Sequence, residues 1–406
     1  MSTRDAPPPP RIRSSLTVLC VTFAAFGAPV GMLGAGWPGV HHSFGTSLGS
    51  LGLVAAAWGL GKLATATSAL PILRRWHVRP ALVVLASVLA LSVLGAAVTR
   101  SYPVLVACFA LIGLSSGVLD ALGTRYQTVI RDVSHAGLMY GSYGVGATLG
   151  PLLVALSGWT TAFVAAAGVC ALAAVLAADR SLWWPEAMEG NEPHRRHAEP
   201  LELHLGALLV SLSLFAIYCS LEVTTASWAA SYFVDARHAS DRSAALAMSG
   251  FWLGMTLGRL GLGRLAGAGR RLSPQGLLVA SACLATVTYL LLLVAPVPAG
   301  LVLPTVAGLS LAGMFPTLMS TTADRVGVAA TGRVTGWQLV SANVAELCVA
   351  ALVGAGVNRA GAGVPAQVLA VMAVLGLPLV LRAARLHADG GPHGAPGDGE
   401  VLAKQP

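Results

Sequence analysis

Charge is scarce in this sequence. Only 10% of its 406 residues are Asp, Glu, Lys or Arg, against about 25% in soluble globular proteins. Lysine is nearly absent: Lys62 and Lys404 stand alone, and the remaining basic residues are arginines. Such a shortage excludes an ordinary soluble enzyme and a disordered chain. It also excludes a nucleic-acid binder, although the formal net charge is +8 and the pI about 9.5. In a chain of mean hydropathy +0.73, a positive balance belongs to basic loops at a membrane surface. Nucleotide and metal signatures are missing too: there is no Walker loop, dinucleotide fingerprint or metal-ligand spacing. The six cysteines (Cys20, Cys108, Cys170, Cys219, Cys283, Cys348) lie singly inside apolar runs and read as small buried hydrophobes. Gly113-Leu114-Ser115-Ser116-Gly117 matches the pattern around a hydrolase serine. Every histidine falls in a loop, a tail or a span edge, so the match reads as small-residue helix packing. No enzyme activity, cofactor or metal is expected.

What the chain does have is long apolar runs. They lie at about 15–38, 48–71, 80–99, 103–124, 137–158 and 160–178, then at 205–231, 244–266, 276–295, 299–320, 334–356 and 365–385. Each is long enough to cross a bilayer as a helix. This predicts an all-α membrane protein with twelve transmembrane helices in two six-helix bundles, 15–178 and 205–387. A polar loop, 179–204, joins them, and the polar segments 1–14 and 388–406 read as disordered ends. The head is not expected to be a cleaved signal peptide. With both termini placed in the cytoplasm, 19 of the 25 basic residues fall in inside segments. Four (Arg100, Arg237, Arg242, Arg359) fall outside, and Lys62 and Arg259 lie within spans. That asymmetry obeys the positive-inside rule, and one missed span would destroy it. Gly27-Ala28-Pro29, Gly150-Pro151 and Phe315-Pro316 suggest broken helices, as in a transporter that lines a cavity. Gly146 and Gly150, like Gly250, Gly254 and Gly258, suggest close helix approach.

Five charges lie inside spans: Lys62, Asp120, Glu222, Arg259 and Glu346. Each costs about 2.5–3.5 kcal/mol at a helix centre on insertion scales, so each calls for a reason. Asp120 follows Gly113, Ser116 and Gly117, which leave one helix face open. It is a candidate proton-binding carboxylate, or else the partner of Arg125 or Arg131. Glu222 precedes Thr225, Trp228 and Tyr232. A carboxylate, hydroxyls and aromatic faces suit a polar organic ligand such as a sugar, with an interfacial aromatic belt as the alternative. Lys62 and Glu346 have a joint explanation in an interhelical salt bridge. Otherwise Glu346 is a second proton site, with Asn343. Arg259, near a cytoplasmic helix end, reads as a loop anchor, alongside Arg74, Arg75 and Arg264 in the two equivalent basic loops. Without a nucleotide site, uphill transport must draw on an ion gradient.

Four segments, set in this twelve-span pattern, resemble the major facilitator superfamily, and within it the sugar–proton symporter group that includes the fucose permease. They are Glu222-Val223 with Trp228 and Tyr232, Gly250 to Arg259, Gly313-Met314-Phe315-Pro316-Thr317, and Gly117-Val118-Leu119-Asp120. The resemblance implies two bundles with alternating access and a cavity lined by spans one, four, seven and ten. It places Asp120 and Glu222 at that cavity, Phe315 beside it, and Lys62 and Glu346 along the bundle interface. The group's first-span Asp has no counterpart here, and its fifth-span Asn is replaced by Tyr143. The implied function is proton-coupled movement of a small sugar-like solute by a monomer in the bacterial inner membrane. Gly146-Ala147-Thr148-Leu149-Gly150-Pro151 is also similar to the fifth-span motif of proton-coupled drug exporters, which keeps export of drug-like compounds or secondary metabolites as the alternative.

Overall fold

In hydrocarbon, every backbone N–H and C=O must find its partner inside the segment, so a spanning chain is helical. The computed structural model describes residues 10–75, 77–130, 133–182, 184, 204–267 and 273–388. The first half contains α1 (Pro10–Phe44), a short turn of 3-10 helix (Leu48–Ser50), α2 (Leu51–Arg75), α3 (Val78–Val98), α4 (Tyr102–Ile130), α5 (Val133–Ser157) and α6 (Trp159–Ala177). The second contains α7 (Leu205–Ser231), a π-helical turn (Tyr232–Ala236), α8 (Asp241–Gly267) and α9 (Pro274–Val294). The tenth span follows in four pieces, α10 (Val297–Gly300), α11 (Leu303–Leu311), α12 (Met314–Ser320) and α13 (Thr322–Val326). The chain then completes α14 (Thr331–Ala360) and α15 (Val364–Ala388).

Eleven spans among the described residues are long and apolar enough to cross a membrane. The twelfth place belongs to α8, whose apolar content is diluted by its glycines and by Arg259. Local chemistry sets several ends. Ser273 caps α9 by accepting the Gly276 N–H at 3.3 Å, with Pro274 at the first helical position. Gly361, at φ +90°, terminates α14 in a conformation that only glycine adopts without strain.

The packing repeats. In the first half α1 lies on α5, α2 on α4 and α3 on α6; in the second, α7 lies on α14, α8 on α11 and α9 on α15. Each pair recurs six spans later, so the two bundles are pseudo-symmetric copies. Glycine sets the closest seams, because a Cβ on Gly146 would run into the Ala24 carbonyl of α1, and one on Gly254 into the Thr305 carbonyl of α11. Gly113 and Gly117 likewise abut the backbone of Trp58 and Lys62, so the hydrolase-like pentad is a helix seam.

Four helix pairs join the bundles: α1 with α7, α1 with α8, α2 with α14 and α5 with α8. α1 and α7 run side by side in one direction, since Gly34 meets Ala226 and Ser227 and His41 meets Asp235 late in both. Arg382, near the end of α15, lies beside Gly206 at the start of α7. The first and last helices therefore open and close on one face, here called the terminal face. The cross-bundle contacts gather toward the opposite face. There the Gly49 N–H donates to Asn358 Oδ1 at 3.1 Å, Gly49 and Gly52 press on Gly354, and the Ser249 hydroxyl donates to the Thr148 carbonyl at 2.8 Å. The opposite face is closed.

Two expectations need correction. Pro29 and Pro151 do not break their helices; among the described residues only the tenth span is divided, into four pieces. Around Pro29 the missing N–H is offset locally, because the Ala25 carbonyl that would have received it accepts the Cys170 thiol at 3.4 Å. The cysteines are all free, but Cys283 and Cys348 are exposed on their helices rather than buried.

Candidate functional site

Glu222 sits on α7 one turn after Tyr218, and residues four apart share a helix face. The Tyr218 hydroxyl donates a short hydrogen bond to Glu222 Oε2. Arg259 arrives from α8. Its guanidinium lies 3.7 Å from Glu222 Oε2 and donates to the Tyr218 hydroxyl at 3.4 Å. Helix geometry explains the meeting. Side chains lean toward their helix N-terminus; α8 begins at the opposite face and α7 at the terminal face, so Arg259 and Glu222 lean toward each other's level. Arg259 is therefore a partner of Glu222 and not the loop anchor expected. Opposite charges at this depth lower each other's desolvation cost.

The first bundle faces this cluster with its own charges. The Gly117 seam brings α4 against Lys62 of α2, and one turn further on Asp120 comes within electrostatic reach of the Lys62 ammonium. Glu346, on α14, acts on the same ammonium, and Cys219 of α7 lies within its electrostatic reach. Lys62 and Glu346 form no ion pair within 4.0 Å among the described residues. Lys62 Nζ instead lies 5.8 Å from the Trp58 ring centroid, within cation–π range. Asn343 donates to the Leu339 carbonyl of its own helix, and no hydrogen bond joins it to Glu346 among the described residues.

Aromatic rings line the space between. Tyr143 of α5 packs against Phe26 at 6.0 Å and edge-on to Trp252 of α8 at 6.2 Å, spanning both bundles. Phe315 packs against Phe215 and Tyr218 at 5.7 and 5.9 Å. Lys62, Asp120, Tyr143, Glu222, Arg259, Phe315 and Glu346 all lie in the interior of their spans, yet each keeps accessible surface. For Glu222 and Arg259 the side-chain exposures are 20% and 37%. Charged groups this deep in membrane-spanning helices call for a functional reason.

Thr225 and Trp228 do not join these groups. Both are 1% exposed, and the Thr225 hydroxyl bonds Tyr289 of α9 at 2.8 Å, inside the second bundle. The Arg74, Arg75 and Arg264 side chains lie outside the described residues, as do most of the 179–204 loop and both tails. Tyr218 and Trp252 went unmarked in the sequence. Tyr218 was findable, at four residues before Glu222. Trp252 carries no signal beyond a helix face shared with Arg259.

The Major Facilitator Superfamily model matches residues 18–209, the first bundle and the start of α7. No curated protein matches the sequence. Solved structures share its fold over almost the whole chain. A mutant of the nucleoside transporter NupG aligns at 14% identity with a TM-score of 0.71, covering 92% of this chain and 99% of that one. A D-xylose-proton symporter aligns at 14% and 0.71, covering 91% and 97%. A bacterial homolog of the lysosomal transporter Spinster, inward-facing and unoccupied, aligns at 12% and 0.68, covering 95% and 99%. The Major Facilitator Superfamily match covers the first bundle and the start of α7, the second bundle repeats the same architecture, and the chain as a whole has the fold of these solved membrane transporters.

Proposed function

We propose that this protein moves a small polar, sugar-like solute across the bacterial inner membrane, coupled to protons, by alternating access as a monomer. The carrying observation is the Tyr218–Glu222–Arg259 cluster: a carboxylate held by a hydroxyl and a guanidinium, wettable, between two bundles that seal at one face. A proton taken up by Glu222 cancels its attraction for Arg259 and frees the guanidinium for solute hydroxyls. Loss of that proton restores the pair. Asp120 and Glu346, which share the field of Lys62, are the further proton sites. Phe315 and Tyr143 supply apolar and aromatic surface for a ring. Arginine placement along the chain puts the terminal face in the cytoplasm, so the conformation with its opposite face closed is inward-facing, and 179–204 is a cytoplasmic linker. The likeness to a D-xylose-proton symporter and to a nucleoside transporter supports a hydroxyl-rich solute.

Uptake of labelled pentoses, hexoses and nucleosides into proteoliposomes, with and without an imposed proton gradient, tests this. Gradient-driven uptake that Glu222→Gln converts to uncoupled exchange is expected. Uptake indifferent to the gradient, or full coupling in Glu222→Gln, refutes the role given to Glu222. The exporter alternative rests on Gly146 to Pro151. Gly146 and Gly150 of that motif abut Ala24 and Ala28 of α1, which is a packing use. Efflux of hydrophobic amines without pentose, hexose or nucleoside uptake in the same vesicles would favour it.

A further inference from the structure

α1 closes with His41-His42-Ser43-Phe44, and the π-helical turn after α7 carries Asp235. These segments belong to different bundles and meet at the closed face, away from Glu222. His41 is 7% exposed. Its Nδ1 faces the Thr46 carbonyl at 3.4 Å. A carbonyl can only accept, so that bond places a ring proton on Nδ1 and turns Nε2 toward Asp235. Asp235 Oδ1 lies 3.8 Å from Nε2, too far for a hydrogen bond. Nε2 and Asp235 Oδ2 are both buried without a hydrogen-bond partner among the described residues. A buried carboxylate facing a buried imidazole across one gap calls for positive charge there, as a proton on Nε2 or as a bound cation. The nearest guanidinium in sequence, Arg237, is committed elsewhere. It donates to the Tyr232 hydroxyl at 2.7 Å, to the Leu292 carbonyl at 3.4 Å and to the Ala295 carbonyl. His42 completes the set. Its ring centroid lies 4.1 Å from that of His41, its side chain is exposed, and one ligand atom from each of His41, His42 and Asp235 falls within 4.8 Å of the others.

We propose that His41, His42 and Asp235 form a Zn2+ site that clasps the two bundles at the closed face. Two imidazole nitrogens and one carboxylate oxygen are a zinc donor set, with water in the fourth position. Bonds of about 2.0–2.2 Å require the three atoms to draw together by an ångström or so, within reach of side-chain rotation. Mg2+ and Ca2+, which prefer all-oxygen shells, are discriminated against. The exposed His42 gives the ion its entry from the water outside that face. Because the donors come from both bundles, the ion binds the closed arrangement in preference to the open one and shifts the population toward it. The site depends on neither the solute nor the coupling proposed above.

The test uses the full 406-residue chain, untagged and purified in detergent. Zn2+ is titrated calorimetrically and followed by thermal melting, with Mg2+ as control. One Zn2+ per chain and a raised Tm are expected, with affinity falling roughly tenfold or more in both His42→Ala and Asp235→Asn. Co2+ in place of Zn2+ is expected to give ligand-field absorption without an intense thiolate charge-transfer band. The His42 side chain is solvent-exposed, so the zinc-free Tm of His42→Ala should match the parent and so show that the fold is kept. No zinc binding, binding undiminished in the two variants, or a thiolate band placing the ion on cysteine overturns the proposal.

Discussion

The Glu222–Arg259 pair can be weighed by a double-mutant cycle. At 3.7 Å, two unit charges in a medium of effective dielectric about 20 attract by roughly 4–5 kcal/mol. That figure is gross. Both groups lose hydration to be there, and they keep 20% and 37% of their side-chain surface exposed, so water screens them. The net coupling falls to about 1–2 kcal/mol. The cycle compares Glu222→Gln, Arg259→Met and the double variant by SDS-driven unfolding from mixed micelles, read by tryptophan fluorescence. The single losses are unequal. Arg259→Met leaves a carboxylate that Tyr218 still serves and that can shed its charge by taking up a proton. Glu222→Gln leaves a guanidinium that has no such escape, so it is the more destabilising change. The double variant is more stable than the two single losses summed would give, by about 1–2 kcal/mol. Strict additivity would show that the two groups do not sense each other, and the proton-switch argument would lose its foundation.

Three further outcomes follow from the geometry. Gly146→Leu should cost about 1–3 kcal/mol or more by overpacking the α1–α5 seam, while Gly141→Leu on the same helix, where a Cβ meets nothing within 4 Å, is tolerated; equal melting temperatures would contradict the seam. Asn358→Ala removes the side-chain bond that holds Gly49 across the closed face, worth about 0.5–1.5 kcal/mol. In a background otherwise free of cysteine, maleimide labelling of Ser227→Cys should then rise about two- to tenfold, and unchanged labelling would show that the bond does not bias the closed state. Thr225→Val should lower Tm through the lost Tyr289 bond while leaving the apparent affinity for solute intact, and a selective loss of affinity would return Thr225 to the binding site.

The architecture was legible because lipid imposes a simple rule on the chain. The runs at 205–231 and 160–178 were placed within a residue of α7 and α6, since a long apolar run bounded by polar residues leaves little choice. Glu222 was legible for the same reason in reverse: a charge in that company has to be explained. The direction of Arg259 was not read correctly. Distance from a helix end suggests snorkelling, but the lean of a side chain toward its helix N-terminus and a partner on another helix decide where it goes. Thr225 was misplaced by the coarseness of a helical wheel. Three residues beyond Glu222, it can turn toward the cavity or toward α9, and only the presence of Tyr289 settles which. The His41–Asp235 contact joins residues nearly two hundred positions apart, and no local pattern announces it.

The division of the tenth span has a mechanical corollary. Its counterpart in the first bundle, α4, runs 29 residues without interruption, whereas the tenth span is jointed at Leu301–Val302, at Ala312–Gly313 and at Thr321. A shaft and a chain of short links respond differently to the same load. The first bundle is built to tilt as a solid block. The second can bend at Ala312–Gly313, just before Phe315, whose ring packs on that of Tyr218, so a solute held at the site proposed above would deform one wall of its container before rotating the other.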